Sequence, residues 1–213
     1  MENFEILKCQ KLADEIANSL NLTPALYEAF CKVPRSIFVP ISAYAYELNP
    51  QPILGGQWIS SPLTVAKMSL ALELDGVDKV LEIGCGSGYQ AAILSKIIRR
   101  VFTIERIEKL VNEAKKNLES LNITNVHLRY DDGNAGWKKY APYERILLSA
   151  AAKEIDKRLL DQLEVGGILV APLYKDGCQK IVKIKKISEL DFNQEIIDEC
   201  EFVPLLKGVE QCK

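Results

Sequence analysis

The sequence contains very little histidine and lacks the paired cysteines of a zinc site. His127 is the single histidine among 213 residues, and no two of the six cysteines are spaced as CxxC. Zinc sites draw their ligands from closely spaced cysteines and histidines, so we expect no bound metal. The chain shows no export signal, so we expect the six cysteines to be reduced thiols in a cytoplasmic protein.

The sequence also lacks a dominant charge and a long apolar run. Lysine and arginine number 27 against 29 aspartate and glutamate, which gives a formal net charge of −2. This balance provides no general attraction to nucleic acid or to an acidic membrane, and we expect neither as a partner. No stretch approaches the roughly 20 apolar residues of a membrane-spanning helix, and residues 1–8 lack the apolar core of a signal peptide.

What is present is the composition of an ordinary globular domain. Hydrophobic residues make up 48% of the chain and charged residues 26%. The length predicts a single domain over residues 1–213, and we expect a monomer. Within it we expect helices and a long loop at 1–76, a core of strands and helices at 77–174, and further strands at 175–213.

Short apolar runs alternate with helical patterns in the middle of the sequence. The runs lie at 80–83, 101–104, 126–128 and 146–148, and an apolar helical stripe spans 107–121. Such alternation predicts parallel βαβ units, with helices on both faces of a buried sheet. The expected fold class is therefore α/β, a Rossmann-like, mostly parallel and doubly wound sheet.

Local signals mark the two ends of the chain. Thr23 and Ser61 each precede a proline, which predicts the N-caps of two N-terminal helices. Asp176-Gly177 predicts a hairpin, so the C-terminal part of the sheet should be antiparallel. The run Phe202–Leu205 predicts one more strand at an edge, and the order of the last two strands stays open.

A glycine-rich turn follows the first apolar run and reads Glu82-Ile-Gly84-Cys-Gly86-Ser-Gly88. Such a turn lets a ligand approach the backbone at the carboxyl end of a strand. Dinucleotide sites favour GxGxxG facing a pyrophosphate, whereas this turn is GxGxG and begins with an acid that would repel phosphate. The pattern therefore favours a ligand that carries positive charge.

Two further acidic residues follow the next two strands. Glu105 ends the second strand, where a carboxylate can accept hydrogen bonds from both hydroxyls of a ribose. A ligand with a ribose, positive charge and no phosphate matches S-adenosylmethionine. Asp132-Gly133 follows the third strand, where a contact to adenine and an ordinary turn explain the residues equally well.

Several segments together resemble the protein-L-isoaspartate O-methyltransferase family. VLEIGCGSGYQAA at 80–92 resembles its cofactor motif, and GQWIS at 56–60 and FVPL at 202–205 resemble segments that methyltransferases in general do not share. Other matching segments are VPRSIFVP at 33–40, AKM at 66–68, IER at 104–106, GW at 136–137, APY at 141–143 and AAA at 150–152. The resemblance covers about residues 8 to 208.

The resemblance implies a repair enzyme that uses S-adenosylmethionine and releases S-adenosylhomocysteine. The family methylates the free α-carboxylate of isoaspartyl residues in damaged proteins and peptides, which are the expected partners. The ester then closes to a succinimide that hydrolyses partly to aspartate. The family's catalytic serine maps onto Ser60, and we expect Ser61 to act as a helix cap only.

The expected site residues therefore form one catalytic position and one cofactor set. Arg35 should fix the neighbouring loop through a carboxylate or a carbonyl, and segments 46–59 and 202–205 should form the substrate cleft. The expected cofactor contacts are Gln57, Trp58, Ile59, Glu82, Gly84, Gly86, Ser87, Gly88, Glu105, Arg106, Asp132 and Gly133.

Three residues depart from the family pattern. Trp58 stands where threonine is usual, Leu54 where glycine is usual, and Leu48 where aspartate is usual. The change at Trp58 puts a side-chain hydroxyl contact at that position in question, whereas a backbone contact there would survive.

Three other functions remain open on the sequence alone. A methyltransferase of the same fold could act on another acceptor, because fold does not fix function. An S-adenosylmethionine-binding module without catalysis is favoured by the departures at Trp58, Leu54 and Leu48. A nicotinamide oxidoreductase ranks last, because GxGxG with a preceding acid suits a pyrophosphate poorly.

Overall fold

The computed structural model describes residues 3–211. The α-helices are α1 (Asn3–Ala17), α2 (Pro24–Lys32), α3 (Pro62–Ala71), α4 (Tyr89–Ser95), α5 (Glu108–Ser120) and α6 (Lys157–Leu160). The strands are β1 (Gln51–Pro52), β2 (Trp58–Ile59), β3 (Lys79–Ile83), β4 (Arg100–Glu105), β5 (Val126–Tyr130), β6 (Tyr143–Leu148), β7 (Leu163–Lys175), β8 (Cys178–Lys186) and β9 (Phe192–Cys200). Short 3-10 turns lie at Arg35–Phe38, Ser42–Tyr44, Leu54–Gly56, Gly133–Ala135 and Lys138–Tyr140.

Seven of the strands form one sheet in the order β5-β4-β3-β6-β7-β8-β9, and β1 pairs with β2 in a separate hairpin. The pairs from β5 across to β7 are parallel, and the last two pairs are antiparallel. This confirms the expected doubly wound sheet with an antiparallel C-terminal part. From β3 the chain continues to β4 and β5 on one side of the sheet and then to β6 and β7 on the other. Ligands of such sheets bind at this switch point, at the carboxyl end of β3.

The apolar runs are continuous because the central strands are covered on both faces. Val80 packs with residues of α3 and α4, whereas Leu81 and Ile83 pack on the opposite face with residues near α6. Successive side chains of a strand point to opposite faces, so Glu82 shares the face of Val80. The carboxyl group of Glu82 therefore lies in the apolar layer beneath the glycine turn.

The predicted helix caps are confirmed. The Thr23 hydroxyl accepts a hydrogen bond from the backbone N–H of Leu26 at 3.3 Å, and the Ser61 hydroxyl accepts one from Thr64 at 3.1 Å. Both helices have proline in the first turn. Ser61 therefore fixes the start of α3, directly after the segment that carries Ser60.

The C-terminal region confirms the hairpin and corrects one strand. Asp176 and Gly177 both have positive φ, at 53° and 83°, and connect the antiparallel strands β7 and β8. The prediction of a strand at Phe202–Leu205 was wrong: only Pro204 makes an isolated bridge, to Ala151. The edge strand is instead β9, whose mostly exposed residues lack the apolar alternation that periodicity detects.

No helix within residues 3–211 is long and apolar enough to cross a bilayer. The five cysteines of this part of the chain are free thiols, and Cys212 lies outside the described residues. The same part contains no group of three or more histidine, cysteine, aspartate or glutamate side chains placed to hold a metal ion.

Candidate active site

A cleft lies at the carboxyl ends of β3, β4 and β6, where the strand order reverses. It encloses about 960 Å³ of empty space, part of it open to solvent. The sequence-predicted residues that line it are Gln57, Trp58, Ile59, Ser60, Gly84, Gly86, Ser87, Glu105, Arg106 and Gly133. Glu82, Gly88 and Asp132 do not line it.

The three glycines of the turn have a left-handed backbone conformation that residues with a Cβ atom rarely adopt. Gly84, Gly86 and Gly88 have φ values of 95°, 57° and 95°. Gly86 faces the cleft opposite Ile53, and a Cβ there would lie 3.5 Å from the Ile53 Cδ1 atom. Gly88 instead caps α4 and lies against Ala114 of α5. The turn therefore presents its backbone to the cleft, while its last glycine packs against a helix.

Glu105 ties the glycine turn to the end of β4. One carboxylate oxygen accepts the N–H of Gly86 at 2.9 Å, and the other accepts those of Arg106 at 2.8 Å and Ile107 at 2.9 Å. Burial raises the pKa of Glu105, and these backbone donors partly offset the rise. A carboxylate has about four acceptor positions, so it can still accept a hydrogen bond from a ligand hydroxyl.

Glu82 lies beneath the turn and is fully buried. Its Oε2 atom accepts a hydrogen bond from the Thr103 hydroxyl, and its Oε1 atom has no partner in the described chain. Burial raises the pKa of Glu82 to about 8; the Thr103 hydroxyl opposes the rise and the Glu105 carboxylate adds to it. At neutral pH this carboxyl is therefore mostly protonated.

Asp132 and Arg106 hold the C-terminal segment, residues 202–210, over the cleft. Asp132 accepts the N–H of Asn134 at 2.9 Å through one oxygen and that of Gly208 at 2.8 Å through the other. The Arg106 Nε atom donates to the Gly208 carbonyl at 2.8 Å, and its guanidinium lies 3.3 Å from Glu210. Burial alone would raise the pKa of Asp132, but these hydrogen bonds lower it on balance.

Gly133, next to Asp132, is required for a different reason. A Cβ on Gly133 would lie 2.4 Å from the Ile83 side chain at the end of β3. No side chain fits at that distance, so glycine lets this loop approach the end of the central strand and reach the cleft.

Ser60 and Ser61 have different surroundings. Ser60 lines the cleft and is half-buried, and its hydroxyl has no hydrogen-bond partner among residues 3–211. Ser61, by contrast, caps α3. The Ser60 carbonyl accepts a hydrogen bond at 2.9 Å from the fully buried guanidinium of Arg35, as expected for a residue that fixes the loop through a carbonyl.

Sequence reasoning missed three polar lining residues: Tyr89, Gln90 and Ser149. Tyr89 and Gln90 begin α4 directly after the glycine turn, and Ser149 follows β6, the parallel neighbour of β3. Because carboxyl ends of parallel strands meet at one edge, the position of Ser149 after an apolar run was the usable signal. His127 stacks on Phe102 and lies outside the cleft lining.

The comparisons with known proteins point to one family. The sequence model described as Protein-L-isoaspartate(D-aspartate) O-methyltransferase (PCMT) matches residues 8–210. The chain is 50% identical over 206 residues to the Protein-L-isoaspartate O-methyltransferase of Helicobacter pylori strain J99, covering 96% of this chain and 99% of that protein. It is 42% identical over 208 residues to that of Trichlorobacter lovleyi, covering 97% and 96%.

Solved structures agree with this assignment. A protein-L-isoaspartate O-methyltransferase superposes with a TM-score of 0.84 at 27% identity, covering 92% of this chain and 65% of that one. A Plasmodium falciparum protein described as a protein-L-isoaspartate O-methyltransferase in complex with S-adenosyl-L-homocysteine has the same fold, with a TM-score of 0.83 at 21% identity, covering 93% and 98%. The chain therefore belongs to the protein-L-isoaspartate(D-aspartate) O-methyltransferase family.

Proposed function

We propose that the cleft transfers a methyl group from S-adenosylmethionine to the α-carboxylate of isoaspartyl residues in proteins, and that Ser60 positions this carboxylate. Family membership and the names of the relatives support the reaction and the cofactor. The observation that carries the role of Ser60 is that this residue lines the same cleft as the glycine turn and that its hydroxyl has no partner among residues 3–211.

The position of Ser60 suits an anionic substrate. It precedes the N-terminus of the ten-residue helix α3, where unpaired N–H groups and the helix dipole favour negative charge. The buried Arg35 guanidinium, whose Nη2 atom donates to the Ser60 carbonyl, adds positive charge behind this position. Ser60 would then hold one carboxylate oxygen and leave the other to accept the methyl group.

The residues present fit S-adenosylmethionine as the cofactor. Ser87 and Tyr89 line the cleft, and their buried hydroxyls have no partner among residues 3–211, so each retains hydrogen-bonding capacity. We assign a ribose hydroxyl to the remaining acceptor position of Glu105, and the closest backbone approach to Gly84 and Gly86. When bound, the cofactor supplies a methyl group activated by its sulfonium.

Three of the expected cofactor residues act from outside the cleft lining in this proposal. Glu82 supports the floor beneath the turn, Gly88 sets the start of α4, and Asp132 orients the neighbouring loop and the C-terminal segment. Gln57, Trp58, Ile59, Arg106 and Gly133 remain proposed cofactor contacts, since each lines the cleft.

The reaction places few demands on proton transfer. A carboxylate nucleophile has a reference pKa near 4 and is already ionised at neutral pH, so no general base is needed. What the chain must supply is orientation, and holding reacting atoms about 3–3.5 Å apart can contribute several kcal/mol. The segment 202–206 lines the cleft together with residues 57–60, and this enclosure would exclude water from the reacting charges.

A pair of peptides tests this function. The two would be identical except that one contains isoaspartate and the other aspartate, and both would be incubated with labelled S-adenosylmethionine. We expect label on the isoaspartyl peptide alone, removable by mild base as expected for an ester. No label on either peptide, with cofactor binding shown by calorimetry, would instead favour a different acceptor or a binding module without catalysis.

A further inference from the structure

A second groove adjoins the cleft at Ser60. It encloses about 1120 Å³ of empty space, part of it open to solvent. It shares Trp58, Ser60, Ser149, Phe202 and Val203 with the cleft, and adds Pro50, Ser61, Thr64 and Glu201. A peptide whose carboxylate reaches Ser60 can therefore place its neighbouring residue in this groove.

Two of the residues that line the groove are aromatic, Trp58 and Phe202, and one is charged. The Trp58 side chain is 54% exposed, although large aromatic residues are usually buried. Glu201 is the only charged lining residue, is exposed, and has no ion-pair partner among residues 3–211. An exposed indole face and an unpaired carboxylate both attract a cation.

The segments that form the two walls contain no basic side chain. Between residues 36 and 61 the single charged residue is Glu47, and between 187 and 206 every charged residue is acidic. The nearest lysine on α3, Lys67, is paired with Asp198 of β9. The buried Arg35 guanidinium lies behind the Ser60 carbonyl, where it favours the substrate carboxylate, whereas the groove around Glu201 favours a positively charged group.

We propose that this groove seats the residue next to the isoaspartyl unit, and that Trp58 and Glu201 make the enzyme prefer a lysine or arginine there over an acidic residue. The inference rests on the proposed function. It gives the departure of Trp58 from the family pattern a role in substrate selection, since this exposed residue lines both the groove and the cofactor cleft.

The test compares isoaspartyl peptides that differ only in one flanking residue, which is lysine, leucine or glutamate, placed before or after the isoaspartate. We expect kcat/KM for the lysine peptide to exceed that for the glutamate peptide by about 3–10-fold at one flank or both, the range for an exposed ion pair with a cation–π contact. The lysine-to-glutamate ratio is measured within each variant, so changes in folding or cofactor affinity cancel.

Three variants assign the preference to the groove. We expect Glu201→Lys to bring the ratio to one or below, Glu201→Gln to lower it, and Trp58→Thr to lower it through loss of the aromatic face. The control is Glu119→Gln, which removes one negative charge as Glu201→Gln does but lies in the last turn of α5. It should leave the ratio unchanged. Salt at 0.5 M should reduce the contribution of Glu201.

Two results would overturn the inference while leaving the proposed function intact. One is a wild-type ratio near one at both flanks with all isoaspartyl peptides methylated. The other is a wild-type preference that persists in Glu201→Lys and Trp58→Thr. Failure to methylate any isoaspartyl peptide, with S-adenosylhomocysteine binding retained, would contradict the proposed function and this inference with it.

Discussion

The two sides of the active-site cleft differ in how the chain holds their carboxylates, although the buried hydroxyls of Ser87 and Tyr89 on the glycine-turn side have no partner among residues 3–211. On the glycine-turn side, the Glu105 carboxylate already accepts three backbone N–H groups, and Asp132 accepts from Asn134 and Gly208. On the side of β2 and α3, the Ser60 hydroxyl and the Glu201 carboxylate have no partner among residues 3–211.

This difference matches what the two sides must bind. The cofactor is always the same molecule, so a backbone that is already ordered before binding lowers the conformational-entropy cost of binding it. Isoaspartyl residues arise in proteins of varied sequence, so the acceptor side gains from groups that stay available. The following predictions test the comparison, beginning with the largest effect.

The largest effect should come from removing the free hydroxyl on the acceptor side. We expect Ser60→Ala to lower kcat/KM for an isoaspartyl peptide by about 100-fold, because misplacement of a reacting group commonly costs that much. Affinity for S-adenosylhomocysteine, measured by calorimetry, should change by less than about threefold, since the cofactor side is intact.

Ser61→Ala is the matched control for Ser60→Ala. It should lower the free energy of unfolding by about 1 kcal/mol through loss of the α3 cap. Its kcat/KM, corrected for the folded fraction, should remain within a few-fold of wild type. If Ser61→Ala removed activity and Ser60→Ala did not, the assignment of the two serines would be reversed.

The next effect should come from the most fully satisfied group on the cofactor side. In Glu105→Gln the amide offers one acceptor atom in place of two, so at least one of the N–H groups of Gly86, Arg106 and Ile107 loses its partner. We expect the Kd for S-adenosylhomocysteine to rise about 10–100-fold, the range for hydrogen bonds to a charged group. Calorimetry measures this directly, and an unchanged Kd would contradict the role of Glu105 in the cofactor site.

The same contrast shows what the sequence can and cannot predict. The sheet, the glycine turn and the caps at Thr23 and Ser61 follow from local patterns, because periodicity, glycine and capping residues act over a few positions. The role of Glu105 as an acceptor for the backbone of its own chain was not visible, because it depends on how closely the end of β4 approaches Gly86. The tether of residues 202–210 by Arg106 and Asp132 was missed for the same reason, since it joins residues about 75 to 105 positions apart.

A third prediction concerns the buried Glu82 beneath the turn. Its pKa of about 8 in the folded chain lies above the ordinary value of 4.5. Between these values the folded state holds a proton that the unfolded state has released, so the free energy of unfolding falls as pH rises. The loss is at most about 1.4 kcal/mol per pH unit across pH 5–8.

The variant Glu82→Gln isolates this effect, because a neutral amide replaces the protonated carboxyl at similar volume. Urea unfolding at several pH values should show that wild type loses more stability than Glu82→Gln between pH 5 and 8. Parallel pH profiles for the two proteins would contradict an elevated pKa at Glu82. The contribution of titrating groups that do not interact with Glu82 cancels in the comparison.

The smallest effect should come from the exposed end of the C-terminal tether. Glu210 lies 3.3 Å from the Arg106 guanidinium and its side chain is 56% exposed, so the pair should contribute less than about 1 kcal/mol. Because segment 202–206 covers the cleft, we expect Glu210→Gln to speed dissociation of labelled S-adenosylhomocysteine by about 2–5-fold. Raising the salt to 1 M should accelerate dissociation from wild type towards the rate of the variant, since salt screens exposed charges.

The preference for the residue that flanks isoaspartate should not change, because Glu210 does not line the groove that contains Glu201. A shift in that preference with no change in dissociation would mean that the tether acts on the acceptor side, and the division between the two sides would then fail.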